Sequence, residues 1–176
     1  MDIIAHALWT TAAAGAVRRK SNRSIPLGWA AFWGVFPDVV SFTIPAVLRI
    51  WWWLTGASKS LLPQANGPHF EWVWGMYNCS HSALVFSTVF GLAWLFLRHP
   101  PLAMLGWILH ISIDIFTHRG WFATHFLWPV SPLHVDGIPW ETGWLLATNY
   151  AAIALVLLLL WGRTAITAAS KHRRRA

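Results

Sequence analysis

The run Pro101-Leu102-Ala103-Met104-Leu105-Gly106-Trp107-Ile108-Leu109-His110-Ile111-Ser112-Ile113-Asp114-Ile115-Phe116-Thr117-His118 decides how this chain folds. It opens on Pro100-Pro101 after the basic pair Arg98-His99, as a helix start should. Its interior is apolar, yet His110, Asp114 and His118 recur every fourth residue and so share one helical face. An ionisable group in such a segment is costly. It is expected to face the interior of a helix bundle, with a partner or a functional role.

The rest of the chain agrees with a bundle in lipid. Of 176 residues, 56% are hydrophobic and only 11% charged, whereas a water-facing domain carries about 25% charged residues. The 15 tryptophans suit a membrane–water interface, where the ring is buried and the N–H stays wet. The length has room for one domain, spanning residues 1–176. The net charge of +7 comes from short basic clusters between apolar runs, which fits membrane orientation better than nucleic acid. The lone Cys79 excludes an intramolecular disulfide.

Five apolar segments stand out: residues 1–17, 25–54, 83–97, 101–116 and 143–162. The fold class expected is therefore an all-α, polytopic membrane bundle with Trp-rich extracytoplasmic loops. Pro37 is expected to split the second segment, a break tolerated where it lines a cavity. Arg18, Arg19, Lys20 and Arg23 follow the first segment, Arg98 and His99 the third, and Arg163 with the 170–176 tail the fifth. The long loops, residues 55–82 and 118–142, carry only Lys59 and Arg119 as basic residues. Five crossings put every basic cluster on one side, so the positive-inside rule makes the N-terminus and long loops extracytoplasmic and the tail cytoplasmic.

Ionisable residues recur in four of these segments: His6, Asp38, His81, and the pair His110 and Asp114. Counted along regular helices, they lie about 14–24 Å from the cytoplasmic ends of their segments. Four segments thus bring His or Asp to similar depth in the outer half of the membrane. Imidazole and carboxylate are both ligands of Zn²⁺. These five are the expected ligands of one or two divalent ions, Zn²⁺ by preference for mixed N/O donors. His118 is an additional ligand or a general acid/base, and Asn78, Ser80 and Ser82 would orient ligands or substrate. Bland readings stand beside these. A lone His6 is more often a hydrogen-bonded core residue, and Asp114 with His118 could be a structural ion pair or a proton relay. Glu71, Asp136 and Glu141 read as surface charges on the outer loops.

At these residues the chain resembles the YdjM-like group of bacterial inner-membrane proteins, described as metal-dependent hydrolases. The resemblance rests on Ala5-His6-Ala7, Phe36-Pro37-Asp38, Ser80-His81-Ser82, Leu109-His110-Ile111-Ser112-Ile113-Asp114, Phe116-Thr117-His118 and Phe126-Leu127-Trp128-Pro129. It departs after Asp38, where members carry a second acidic residue and a His but this chain has Val39-Val40-Ser41. The ligand pattern is also distantly similar to that of zinc-dependent phospholipase C. These resemblances imply hydrolysis at the inner membrane, of a phosphoester or lipid substrate, with membrane lipids as the chain's partners. The competing reading is an ion, proton or small-molecule transporter using the same cluster. It requires a polar path to both faces, and the cytoplasmic halves of the segments hold few polar side chains. A non-enzymatic membrane adaptor, binding through the basic tail or Trp-rich loops, is the third reading.

Overall fold

The computed structural model describes residues 1–21, 23–56 and 71–162. The 170–176 tail, Lys59 and Arg163 lie outside the described residues. Six α-helices order the described residues: α1 (Ile3–Lys20), α2 (Leu27–Thr55), α3 (Glu71–Ser80), α4 (Ala83–Leu97), α5 (Leu105–Thr117) and α6 (Gly143–Leu157). A 3-10 turn at Leu102–Met104 leads into α5, a π-helical turn at Leu158–Gly162 extends α6, and no strand occurs among the described residues.

Asp2 starts α1: its carboxylate accepts the N–H groups of Ile4 and Ala5 at 3.1 and 3.0 Å. The same Oδ1 accepts the Tyr150 hydroxyl at 2.8 Å, which fastens α6 beside the start of α1. Close approach of α1, α2 and α5 depends on two glycines. A Cβ on Gly34 would lie 2.3 Å from Thr10 Oγ1, and one on Gly106 would lie 2.6 Å from the Ala30 carbonyl oxygen. Small residues at these crossings let the backbones approach, as in membrane helix pairs.

Two expectations are corrected. Pro37 does not split the second segment, because α2 is continuous from Leu27 to Thr55 with Pro37 and Pro45 inside it. Proline removes one N–H and crowds the turn before it, which slackens a helix without having to end it. Residues 71–80, assigned to a loop, form α3. Glu71, expected on that loop, stands in its first turn. The pair α3 and α4 bends by 55° at the junction, where Ser82 caps α4 by accepting from the N–H groups of Leu84 and Val85. Five crossings are expected from the sequence. By length and hydropathy, two described helices could cross a membrane, residues 27–55 and 143–162, or three if the bent pair counts as one span.

Polar side chains share the core with apolar ones, and large apolar side chains stand exposed. His6, His81, His110 and Asp114 are fully buried, while Phe96 and Trp53 are 82% and 81% exposed. The junction that carries His81 is held by Trp107 on α5, whose indole N–H donates to the Ser80 carbonyl at 2.6 Å. Trp107→Phe keeps the packing but strands that buried carbonyl. It is expected to cost about 1–3 kcal/mol, to be read as an earlier thermal unfolding transition in detergent.

Candidate metal centre

Each expected ligand arrives from a different local cause. His6 lies one turn into α1, after the Asp2 cap. Asp38 follows Pro37 in the middle of α2. His81 sits in the break between α3 and α4. His110 and Asp114 occupy successive turns of α5, and His118 ends it, its N–H donating to the Asp114 carbonyl at 3.2 Å.

The structure brings these side chains together. His110 Nε2 lies 3.0 Å from Asp114 Oδ2, 3.0 Å from His81 Nε2 and 3.8 Å from Asp38 Oδ1. His81 Nε2 lies 3.5 Å from Asp114 Oδ2 and 3.6 Å from Asp38 Oδ1. One ligand atom from each of Asp38, His81, His110 and Asp114 thus falls within 4.8 Å of the others. Tetrahedral Zn²⁺ with bonds near 2.0–2.1 Å has ligand-to-ligand edges of about 3.3 Å, so the observed spacings bracket such a site.

Protonation sharpens the geometry. His110 Nδ1 is 2.7 Å from the Gly34 carbonyl, and His81 Nδ1 is 3.0 Å from the Tyr77 carbonyl. A carbonyl only accepts, so both rings carry a proton on Nδ1 and, when neutral, turn an Nε2 lone pair inward. Carboxylates contribute acceptors alone. With both rings neutral the centre holds four acceptors and no donor, and Asp114 Oδ2 is buried without a hydrogen-bond partner. One proton would bridge one of these pairs, whereas a single divalent cation satisfies all four. Backbone carbonyls that fix the outer ring nitrogen are the usual support of metal-binding histidines.

The other expected residues divide. His6 Nε2 and His118 Nδ1 approach the second oxygen of Asp114, Oδ1, at 3.0 and 3.3 Å. Ser80 Oγ is 2.9 Å from His81 Nδ1 and so orients a ligand. Asn78 does not reach the cluster: its Oδ1 accepts from His125 Nδ1 at 3.1 Å. Burial, and then the neighbouring His134, lower the pKa of His125 from its ordinary value. Ser82 spends its hydroxyl on capping α4 and donates to the Trp128 carbonyl at 2.6 Å.

Three contributors were not singled out from the sequence. Gly34 and Tyr77 act through backbone carbonyls, and Tyr77 also stacks on His81 with ring centroids 3.9 Å apart. Thr117 Oγ1 donates to Asp114 Oδ1 at 3.2 Å. Only Tyr77 left a signal, as one of two tyrosines in the chain, four residues before His81. A cavity of about 550 Å³ reaches the cluster at Asp38 and His118, with Val39, Phe42 and Ala46 among its apolar walls. No family model, curated protein or solved structure matches this chain.

Proposed function

We propose that this chain is a membrane-embedded, metal-dependent hydrolase of phosphoester or lipid substrates. The observation that carries the reading is the buried group of two histidines and two aspartates, with both Nε2 atoms turned toward each other and toward two carboxylates. Buried charges persist where they are paired or coordinate metals. Two imidazoles and two carboxylates favour Zn²⁺ among the divalent ions.

The exposed apolar side chains and the buried polar ones support a lipid environment. Residues 23–26 and 99–103 line one cleft, and Arg19 Nη1 donates to the Leu159 carbonyl at 3.4 Å. Arg18, Arg19, Lys20, Arg23 and Arg98 therefore lie toward the end of the bundle away from the cluster, with Arg49 and Arg119 toward the other. By the positive-inside rule the end richer in basic residues is cytoplasmic, and the centre opens outward across the bacterial inner membrane. In this arrangement α1, α2, the α3–α4 pair, α5 and α6 make five crossings, the short ones where the bilayer is thinned.

The hydrolase class follows from the resemblance to the YdjM-like group together with a cavity that joins the acceptors to apolar walls. Bound in the centre, a divalent ion supplies Lewis acidity and a nucleophile at neutral pH. Asp38, His81, His110 and Asp114 hold it, while the Gly34 and Tyr77 carbonyls fix the two rings. Water adds to phosphorus, the P–O ester bond breaks, and a proton passes to the departing alkoxide. Val39, Phe42 and Ala46 would carry the apolar part of the substrate. Elemental analysis of the purified protein, followed by a screen of soluble phosphoesters and phospholipids, tests the proposal. At least one equivalent of metal and metal-dependent turnover are expected. Protein that takes up no metal overturns the reading. Metal uptake with ion flux in liposomes and no hydrolysis replaces it by the transporter.

A further inference from the structure

We infer that a second divalent cation binds between His6, His118 and Asp114, and that the Asp114 carboxylate bridges it to the first. The inference rests on the metal-centre reading above.

Asp114 divides its two oxygens between two groups of ligands. Oδ2 faces His110 and His81 at 3.0 and 3.5 Å. Oδ1 faces His6 Nε2 and His118 Nδ1 at 3.0 and 3.3 Å. Of the two histidines on the Oδ1 side, His6 lies the deeper. His6 is fully buried, and neither of its ring nitrogens has a hydrogen-bond partner. Its Nε2 lies 3.0 Å from Asp114 Oδ1, within reach of an ion shared by the two atoms. A buried polar side chain without a partner is rare and calls for an ion or a water. The ring is fixed by stacking on His110, with centroids 3.6 Å apart and planes 25° apart.

The α-ammonium of Met1 touches Asp114 Oδ1 and lies 3.2 Å from Thr117 Oγ1 and 3.5 Å from His118 Nδ1. A divalent cation uses the same anionic oxygen and adds both imidazoles. His118 lines the cavity, whereas His6, His81 and His110 do not. The second ion would therefore be the one a substrate meets, with His118 as a ligand in place of a general acid/base.

The test is metal stoichiometry. Purified protein is stripped with chelator and dialysed against buffered Zn²⁺, and the bound metal is measured for wild type, His6→Gln and His118→Ala. Two ions are expected in wild type and one in each variant. His118 lies at a helix end and is partly exposed, so its variant keeps the test valid should His6→Gln fail to fold. One ion in all three proteins overturns the second site and leaves the place to the ammonium. Two ions in all three overturn the ligand assignment. No ion in wild type overturns the metal reading itself.

Discussion

Asp114→Asn is expected to empty the centre and to lower hydrolysis by roughly 10³-fold or more. The change is isosteric, so packing is kept and only charge and one acceptor are lost. Both oxygens of Asp114 are committed, one toward His110 and His81 and the other toward His6 and His118. A metal ion contributes several kcal/mol of transition-state stabilisation, and each 1.36 kcal/mol is about tenfold in rate. The stability of the metal-free protein should move the other way. In wild type with both imidazoles neutral, four acceptors face one another without a donor. In the variant, the amide N–H₂ donates to a histidine Nε2 and relieves that conflict. Metal-free Asp114→Asn is therefore expected to unfold at the same temperature as metal-free wild type or higher. If Asp114 were instead the anchor of a structural ion-pair network, the variant would melt earlier without metal, because breaking a buried pair costs about 3–5 kcal/mol. Melting curves of both proteins in chelator separate the two roles. A variant that keeps its metal and its turnover would remove Asp114 from the centre altogether.

The sequence carried the site further than it carried the fold. His110 and Asp114 declared themselves because four residues separate them in an otherwise apolar run, and burial of such groups demands a reason. Counting helical rise from the basic ends brings His6, Asp38 and His81 to the same depth, and the structure gathers Asp38, His81, His110 and Asp114 in one group with His6 beside the other oxygen of Asp114. The supporting atoms were harder to see. Gly34 and Tyr77 serve through main-chain carbonyls, which any residue type could offer. Ser82 was set beside the ligands because it follows His81, yet a Ser at a chain bend is just as well suited to capping a helix. Residues 71–80 mix Glu71, Gly75 and Asn78 with aromatic residues, too short and too polar to stand out as a helix. The Pro37 break was overestimated, since α2 absorbs the missing N–H within a continuous helix. The number of crossings is the least legible feature. Burial in the centre of a bundle and burial in lipid select the same apolar residues, and α1 and α5 fall below the length or polarity that would tell them apart.

Gly106→Ala is expected to damage the centre from a distance, through one backbone contact. A Cβ at Gly106 would stand 2.6 Å from the Ala30 carbonyl oxygen, 3.0 Å from the Gly34 nitrogen and 3.4 Å from the Trp33 carbonyl carbon. All three are main-chain atoms of α2, so no side chain can swing away and the two helices must part. Overpacking of this kind costs about 1–3 kcal/mol. His110 lies one turn along α5, and its Nδ1 is held by the Gly34 carbonyl at 2.7 Å. A few tenths of an ångström between the helices lengthens that bond and frees the ring to turn its Nε2 off the ion. Loss of such a supporting contact lowers metal affinity about 10–100-fold. The matched control is Gly91→Ala on α4, where a Cβ meets nothing within 4 Å. That substitution should leave affinity unchanged and gain up to about 1 kcal/mol of helix stability. Competition with a chromophoric chelator measures the affinity of each protein. If Gly106→Ala melts early but binds metal as tightly as wild type, the Gly34 carbonyl does not orient His110. If its melting recovers as Zn²⁺ is raised above the weakened dissociation constant, mass action is restoring a folded state that depends on the ion. The close approach of α2 and α5 and the filling of the centre are then one equilibrium.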